Sequence, residues 1–485
     1  MTHALMVQGT CSDAGKSVLT TGLCRLFSRM GYRTAPFKSQ NMSQNTEIIP
    51  GEGEIAKSQV LQAQAAGVKP AVDMNPIILK PSTDKSAEVI VRGQRLANTS
   101  GSAYRKNFYS RALRAIKKSY KRLCSEYEVI IIEGAGSPVE MNLKDRELVN
   151  MKIAEMTGAP VIIAADIDRG GVLASIIGTW ELLTCSERDR VAGFVVNKFR
   201  GDPALFEDGV TFIENKIDSQ VLGVLPYLNI SLEPEDSLSL KDSRVSGDKM
   251  RIGVVKLPDA EQPGDIYSLA GQRGVSVESV LSVRQALEEP FNGLIIPHSG
   301  APLSDLQYLK EAGWEHLFKA LGEGGVPLTA LGSSAGFLGE TFRWDELEVK
   351  GLNVLSCSVD GAPLQNSEVE KGTVSLDDDQ PFFGDLSGQM LHVYRRCEMS
   401  FSGGNGGNFE MDGRSFGVLG RQSPVMAVPL NGLFNQDDFR GAYLQCMNYD
   451  VTDDGREDDF DLLADTINRK LDMETIFGVM GLETA

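Results

Sequence analysis

The stretch that most constrains this chain is Val7-Gln8-Gly9-Thr10-Cys11-Ser12-Asp13-Ala14-Gly15-Lys16-Ser17. A short apolar run, Ala4 to Val7, leads into it, and Val18, Leu19, Leu23, Leu26 and Phe27 follow at helical spacing toward Met30. A strand, a tight loop of small residues ending Gly-Lys-Ser, and a helix together spell a phosphate-binding loop. Small residues from Thr10 through Ser12, Asp13, Ala14 and Gly15 let backbone N–H groups point at phosphate oxygens, and the helix N-terminus adds positive potential. Lys16 is placed to reach the β- and γ-phosphates, and the Ser17 hydroxyl to ligate Mg²⁺. Five residues, not four, separate Gly9 from Gly15, so Thr10 stands where the common motif has its first glycine. The stretch predicts a nucleotide site.

A parallel α/β sheet is the expected carrier. From Met1 to about Asn229 short apolar runs alternate with helical patterns. The strands expected are Leu5–Gln8, Thr34–Phe37, Val129–Ile132, Val161–Ala165, Phe194–Val196 and Val221–Leu225, continuous apolar runs suited to burial on both faces. Helices are expected at Glu54–Ala66, Ser102–Glu126 and Gly171–Leu183. Residues 231–249 are polar, acidic and rich in breakers, and read as a linker. The rhythm restarts at Met250 with strands at Arg251–Leu257, Val275–Val280, Gly293–Pro297 and Val326–Leu331, whereas Lys350 to Arg414 reads as loops with short strands. Asp459 to Val479 has an amphipathic helical pattern. The expected organisation is a P-loop domain over 1–230, the linker 231–249, a second α/β domain over 250–450 and a helical segment over 451–485. A chain of 485 residues is too long for one ordinary core in any case.

Charge narrows the partners. Lys+Arg 48 against Asp+Glu 66 gives a net −18, which argues against nucleic acid or an anionic membrane as the main partner. No apolar run approaches the roughly eighteen residues of a membrane span, and the first residues lack a basic-then-apolar leader. Seven scattered cysteines without C-x-x-C pairing fit free thiols, so a cytoplasmic protein is expected.

Polar clusters follow several of the predicted strands, where open parallel sheets hold their ligands. They are Lys38-Ser39-Gln40-Asn41, Glu133-Gly134-Ala135-Gly136, Asp166-Ile167-Asp168-Arg169-Gly170-Gly171 and Asn197-Lys198. Carboxylates beside a phosphate loop suit Mg²⁺, held directly or through water, and lysines there neutralise charge developing during phosphoryl transfer.

These residues carry a family resemblance. Gly9 to Ser17, Ala35-Pro36-Phe37-Lys38-Ser39-Gln40-Asn41-Met42, Met74-Asn75-Pro76-Ile77-Ile78-Leu79-Lys80-Pro81, Glu133 to Pro138, Ala165 to Val172 and Asn197 to Asp202 resemble the cobyric acid synthase family, in order, through residues 1–240. Related folds include dethiobiotin synthetase. The resemblance implies a P-loop NTPase-like, dethiobiotin-synthetase-like domain followed by a flavodoxin-like class I glutaminase domain. It further implies ATP-dependent amidation of the b, d, e and g carboxylates of a corrinoid, by way of an acyl phosphate that ammonia attacks. In that scheme Lys16, Ser17 and Glu133 handle the phosphates and Mg²⁺, Lys38 lies near the transferred group and Asn197 touches the adenine. Asp166, Asp168 and Arg169 are catalytic candidates without an assigned role.

In the second domain the family pattern breaks. The family's nucleophilic cysteine lies in a run close to Gly-Ile-Cys-Gly-Gly-Tyr-Gln-Met-Leu-Gly; here the run is Ala330-Leu331-Gly332-Ser333-Ser334-Ala335-Gly336-Phe337-Leu338-Gly339, which puts Gly332 at the cysteine. The family's base histidine falls on Asn431 in Leu430-Asn431-Gly432-Leu433-Phe434, and its oxyanion loop Pro-Gly-Ser-Lys on Pro297-His298-Ser299-Gly300. Glycine has no nucleophile and the asparagine amide is no general base. Neither Ser333 nor His392 is put in reach of a catalytic partner by its spacing. The expectation is an inactive glutaminase half, with free ammonia or a separate ammonia source as donor. A homo-oligomer stays open. Two alternatives stand beside this reading: a nucleotide-dependent regulatory protein on the same scaffold, and a related synthetase acting on another carboxylate.

Overall fold

Six parallel strands form the sheet around which the first part of the chain folds: His3–Gly9, Thr34–Phe37, Val129–Glu133, Val161–Asp166, Val191–Phe199 and Val221–Pro226. Numbered along the chain, their spatial order is 6-5-4-1-3-2. The first strand is thus central, and the chain leaves it toward opposite sides, which makes its carboxyl end the topological switch point where such sheets hold ligands. Val129–Glu133 and Val161–Asp166 are buried at every position, each an apolar run that ends on a buried carboxylate.

The computed structural model describes residues 2–43, 45–49, 51–83, 86–100, 108–142, 144, 147–228, 230, 250–260, 266–272, 274–376, 383–403, 407–449 and 456–483. The linker expected at 231–249 lies outside them, as do the first residues of the helix expected from Ser102, which is described over Tyr109–Glu126. Two compact units form: Met1–Glu235 with Gly455–Ala485, and Asp236–Asp454.

In the first unit the helix expected from Glu54 begins at Lys57, because Gly53–Ala56 instead pairs antiparallel with Thr46–Ile49. A four-stranded sheet absent from the sequence reading joins Gln40–Met42, Ile77–Thr83, Ser86–Val91 and Gln94–Ser100. Of the segment set apart at 451–485, residues 456–483 belong to this unit and contain two helices, Arg456–Lys470 and Met473–Met480. They part where the Asp472 N–H donates to Leu222 O at 2.7 Å and its carboxylate accepts from Thr475 N at 3.0 Å. The first of them lies so close to helix Lys16–Arg29 that a Cβ on Gly22 would stand 2.3 Å from Ile467 Cδ1. Arg25 and Arg29 pair with Asp461 at 2.8 and 3.3 Å, and Phe477 packs edge-on against Phe27.

The second unit has five parallel strands in the order Val275–Val280, Met250–Val255, Gly293–Ile296, Leu328–Leu331, Val425–Val428. In chain order this is 2-1-3-4-5, the flavodoxin-like arrangement. An antiparallel extension continues from Val425–Val428 through Arg414–Leu419 and Gly407–Met411 to a long hairpin, Ser358–Leu376 with Met390–Ser402. The sequence reading gave this region loops with short strands. Its pairing shifts register between Pro363 and Glu368, which breaks the two-residue alternation by which a long strand is recognised.

Ile467 is fully buried against helix Lys16–Arg29. Ile467→Ala should destabilise the first unit by about 2–5 kcal/mol, read as a lowered denaturation midpoint of the intact chain. An unchanged midpoint would show that the C-terminal helices contribute little to that core.

Candidate active site

Glu133, the last residue of its strand, is fully buried at the carboxyl edge of the first sheet. Its Oε1 accepts from Ser17 Oγ at 2.8 Å and from Lys38 Nζ at 2.8 Å, and its Oε2 accepts from Gln62 Nε2. Burial raises the carboxyl pKa; the Lys38 ammonium and the three hydrogen bonds outweigh it and hold the group below the usual carboxylate range. Lys38, itself 2% exposed, is fixed through its backbone: its N–H donates to Met74 O at 2.8 Å and its carbonyl accepts from Asn75 Nδ2 at 2.9 Å. The Met74-Asn75-Pro76 run thus serves the site by locking the strand exit that carries the lysine. Gln62 was missed in the sequence. Its signal was a second glutamine three residues after Gln59 on an Ala/Val/Leu helix: Asn41 Nδ2 donates to Gln59 Oε1 at 3.2 Å, and Gln59 Nε2 to Gln62 Oε1 at 3.3 Å.

The loop itself turns through Asp13 (φ 58°) and Gly15 (φ 93°) into helix Lys16–Arg29. A side chain at Gly15 would collide with Asn197, whose Nδ2 donates to Ala14 O at 3.0 Å. Lys16 folds back so that Nζ donates to Cys11 O at 3.0 Å. Thr10 Oγ1 is buried with no hydrogen-bond partner among the described residues, while Ser12 and Asp13 face solvent. An unpaired buried hydroxyl, a lysine folded over the loop and a helix N-terminus suit a polyphosphate. The Ser17 hydroxyl and Glu133 carboxylate meet at one point and offer the oxygen donors that Mg²⁺ prefers.

The remaining candidates lie on the other flank of the loop. Asp166 accepts from Lys198 Nζ at 2.8 Å and from the Asp168 N–H at 2.8 Å, and Lys198 also donates to Asp13 O. Arg169 pairs with Asp13 at 2.7 Å. Asp168 turns outward to Arg200 at 2.7 Å. The sequence clusters therefore divide. Ser17, Lys38 and Glu133 converge, whereas Asp166 and Arg169 brace the loop from the side and the Asp168 carboxylate pairs with Arg200.

In the second unit Gly332 follows strand Leu328–Leu331 with φ 58°, and a Cβ there would stand 2.2 Å from His298 Nδ1. The His298 ring occupies the space a side chain at 332 would need. Its Nδ1 accepts from Ser333 N at 3.0 Å, and Ser333 Oγ donates to Ser299 O at 2.7 Å. Burial, with Arg396 adding to it, pushes the imidazole down from 6.5 to about 3 and keeps it neutral. Ser333 is fully buried and its imidazole partner is His298, not His392, whose backbone carbonyl accepts from Gln436. Asn431 Oδ1 is buried with no hydrogen-bond partner among the described residues.

Residues 5–239 match the family model described as the CobQ/CobB/MinD/ParA nucleotide binding domain. Over its whole length the chain is similar to proteins named cobyric acid synthase. The one from Salmonella typhimurium is 36% identical, covering 99% of this chain and 99% of that protein. The one from Moorella thermoacetica is also 36% identical, covering 100% and 98%. Among the described residues no helix is long and apolar enough to cross a membrane.

The packing at Gly332 predicts that Gly332→Ala will cost the second unit about 2 kcal/mol or more, since the positive φ and the imidazole both oppose a Cβ. Combining it with His298→Ala should recover part of that loss, and a neutral Gly332→Ala in denaturant titrations would contradict the geometry. The same histidine sets a pH dependence. An unfolded chain takes up the proton near pH 6.5 and the folded one only near 3, so stability should fall as pH drops through that window. The slope is at most about 1.4 kcal/mol per pH unit, and His298→Asn should flatten it in urea midpoints compared between pH 7 and 5.

Proposed function

This chain belongs to the cobyric acid synthase family, and we propose that it uses ATP to turn peripheral carboxylates of a corrin ring into amides, with ammonia as the nitrogen donor. The observation that carries the ATP-dependent step is the convergence of Ser17 and Lys38 on the buried Glu133 beside the phosphate loop. The substrate is cobyrinic acid a,c-diamide, with or without its adenosyl ligand, and the carboxylates converted are b, d, e and g. A substrate carboxylate oxygen attacks the γ-phosphorus, ADP departs, and ammonia displaces phosphate from the acyl carbon.

The chain's part is to position and to stabilise charge. The loop N–H groups and Lys16 hold the β- and γ-phosphates. Lys38, whose ammonium already faces the Ser17–Glu133 pair, shifts toward the oxygens on which negative charge collects. Ser17 and Glu133 would hold Mg²⁺, which neutralises the phosphate oxygens when bound. Asp166 and Arg169 keep the loop in shape through Lys198 and Asp13.

Ammonia is proposed because Gly332 and Asn431 supply neither nucleophile nor base, and the His298 imidazole fills the elbow. An amidation assay on cobyrinic a,c-diamide should therefore proceed with ammonium and give no product above background with glutamine. Loss of a catalytic pair costs on the order of 10⁶ in rate. Lys16→Ala should abolish ATP turnover with ammonium while leaving the melting curve unchanged. Robust glutamine use by the purified unmodified chain would refute the donor assignment, and full turnover in Lys16→Ala would refute the role of the loop.

A further inference from the structure

Every exposed position of helix Tyr109–Glu126 from Arg111 to Arg122 is basic: Arg111, Arg114, Lys117, Lys118, Lys121 and Arg122. The chain as a whole has a net charge of −18. Among the described residues only Arg122 of the six has a carboxylate partner, Asp73 at 3.0 Å and Glu126 at 3.2 Å. Arg111 and Arg114, Arg114 and Lys118, and Lys117 and Lys121 are like-charged neighbours one turn apart, a spacing that destabilises a helix. Packing has no use for this face, since the helix rests on buried Ala112, Ile116 and Leu123. The helix lies antiparallel to the strands it covers. Near its end the Thr2 hydroxyl, at the start of the first strand, donates to Cys124 O at 2.9 Å, whereas the Tyr120 ring lies 5.4 Å from that of Phe37, the residue before Lys38. Tyr120 is therefore level with the carboxyl edge of the sheet. At 1.5 Å per residue, Arg114 lies about 9 Å and Arg111 about 14 Å beyond it. The basic row thus ends on the side of the sheet where Ser17, Lys38 and Glu133 converge.

We propose that this face is an electrostatic guide that draws the polycarboxylate corrinoid toward the carboxyl edge of the first sheet. The proposal rests on the corrinoid reading above. A substrate with four ionised carboxylates is repelled by an acidic chain as a whole, so a local field of opposite sign has to admit it. A row of cations without carboxylate partners supplies that field, and its near end stands about one Debye length, 8–10 Å, past the edge. The complementarity also changes as the reaction proceeds. Each amidation replaces a carboxylate with a neutral amide and removes one negative charge, so the guide acts most on the corrinoid with all four carboxylates and least on the finished tetra-amide. The face thereby favours entry of unfinished corrinoids over re-entry of product.

Ammonium-dependent amidation of cobyrinic acid a,c-diamide by the intact chain, run at low and high ionic strength, tests the guide. Arg114→Gln with Lys118→Gln removes two charges and keeps two good helix formers. At an ionic strength of about 0.02 M this variant should lose about tenfold in kcat/KM while kcat stays within about twofold, and at about 0.5 M the two proteins should coincide. With a corrinoid that retains one of the four carboxylates, the variant should match the unmodified chain within about twofold at both strengths. Equal kcat/KM at low ionic strength would overturn the proposal. So would a loss that persists at high salt or is as large for the one-carboxylate corrinoid, since either means a direct contact or a damaged helix. Unchanged kinetics with a salt-dependent change in sedimentation would give the face to a second copy of the chain and overturn it as well. In all these outcomes the corrinoid reading stands; an unmodified chain that amidates no corrinoid would refute that reading and the guide with it.

Discussion

A single buried carboxylate organises the first unit. An ionised Glu133 with no exposure would cost several kcal/mol if left unpaired, so its neighbours have to supply positive charge and donors. They do so from three separate elements: Ser17 from the P-loop helix, Lys38 from the exit of the second strand, and Gln62 from the helix that follows the small hairpin. Each of these elements is therefore held at the sheet edge by the same pair of oxygens. Lys38 is buried as well, and its backbone is tied to Met74 and Asn75. The arrangement that makes the site chemically useful is also what aligns the chain segments around it.

The parts of this molecule that were legible in the sequence are those dictated by local pattern. Apolar runs such as Val129–Ile132 and Val161–Ala165 announced parallel strands because they are buried on both faces, and Gly15-Lys16-Ser17 announced its loop because the backbone there needs a residue tolerant of positive φ. Convergence of Lys38 and Glu133 could be anticipated from strand ends alone. Gln62 could not, since its role depends on a helix whose position is set by tertiary packing. The long hairpin Ser358–Leu376 with Met390–Ser402 was hidden by its register shift, and the attachment of residues 456–483 to the first unit has no local signature at all. Asp168 could not be placed from its motif alone: its carboxylate pairs with Arg200, a partner that only the tertiary structure brings near.

The second unit separates scaffold from chemistry. Its five parallel strands are held by their apolar faces and owe nothing to a nucleophile, so the fold persists when the residues at the strand ends change. The altered positions also fit one another. Glycine at 332 leaves the volume that the His298 ring takes up, and the ring accepts the Ser333 N–H that the sharp turn would otherwise leave without a partner. Substitution at one of these sites changes what the other can tolerate.

The return of the C-terminal helices has a consequence for how the chain is made. His3 Nδ1 lies 2.7 Å from the carbonyl of Met480, a contact between residues 477 positions apart, and Leu463, Ile467 and Phe477 cover the same core that Leu19, Leu23 and Phe27 open toward. During synthesis the first strand and the P-loop helix leave the ribosome well before residues 456–483 emerge to cover that face. The second unit is contiguous in sequence and needs no such wait. Translation therefore completes the middle of this protein before its beginning, and the interval leaves a partly built apolar surface for chaperones to shield.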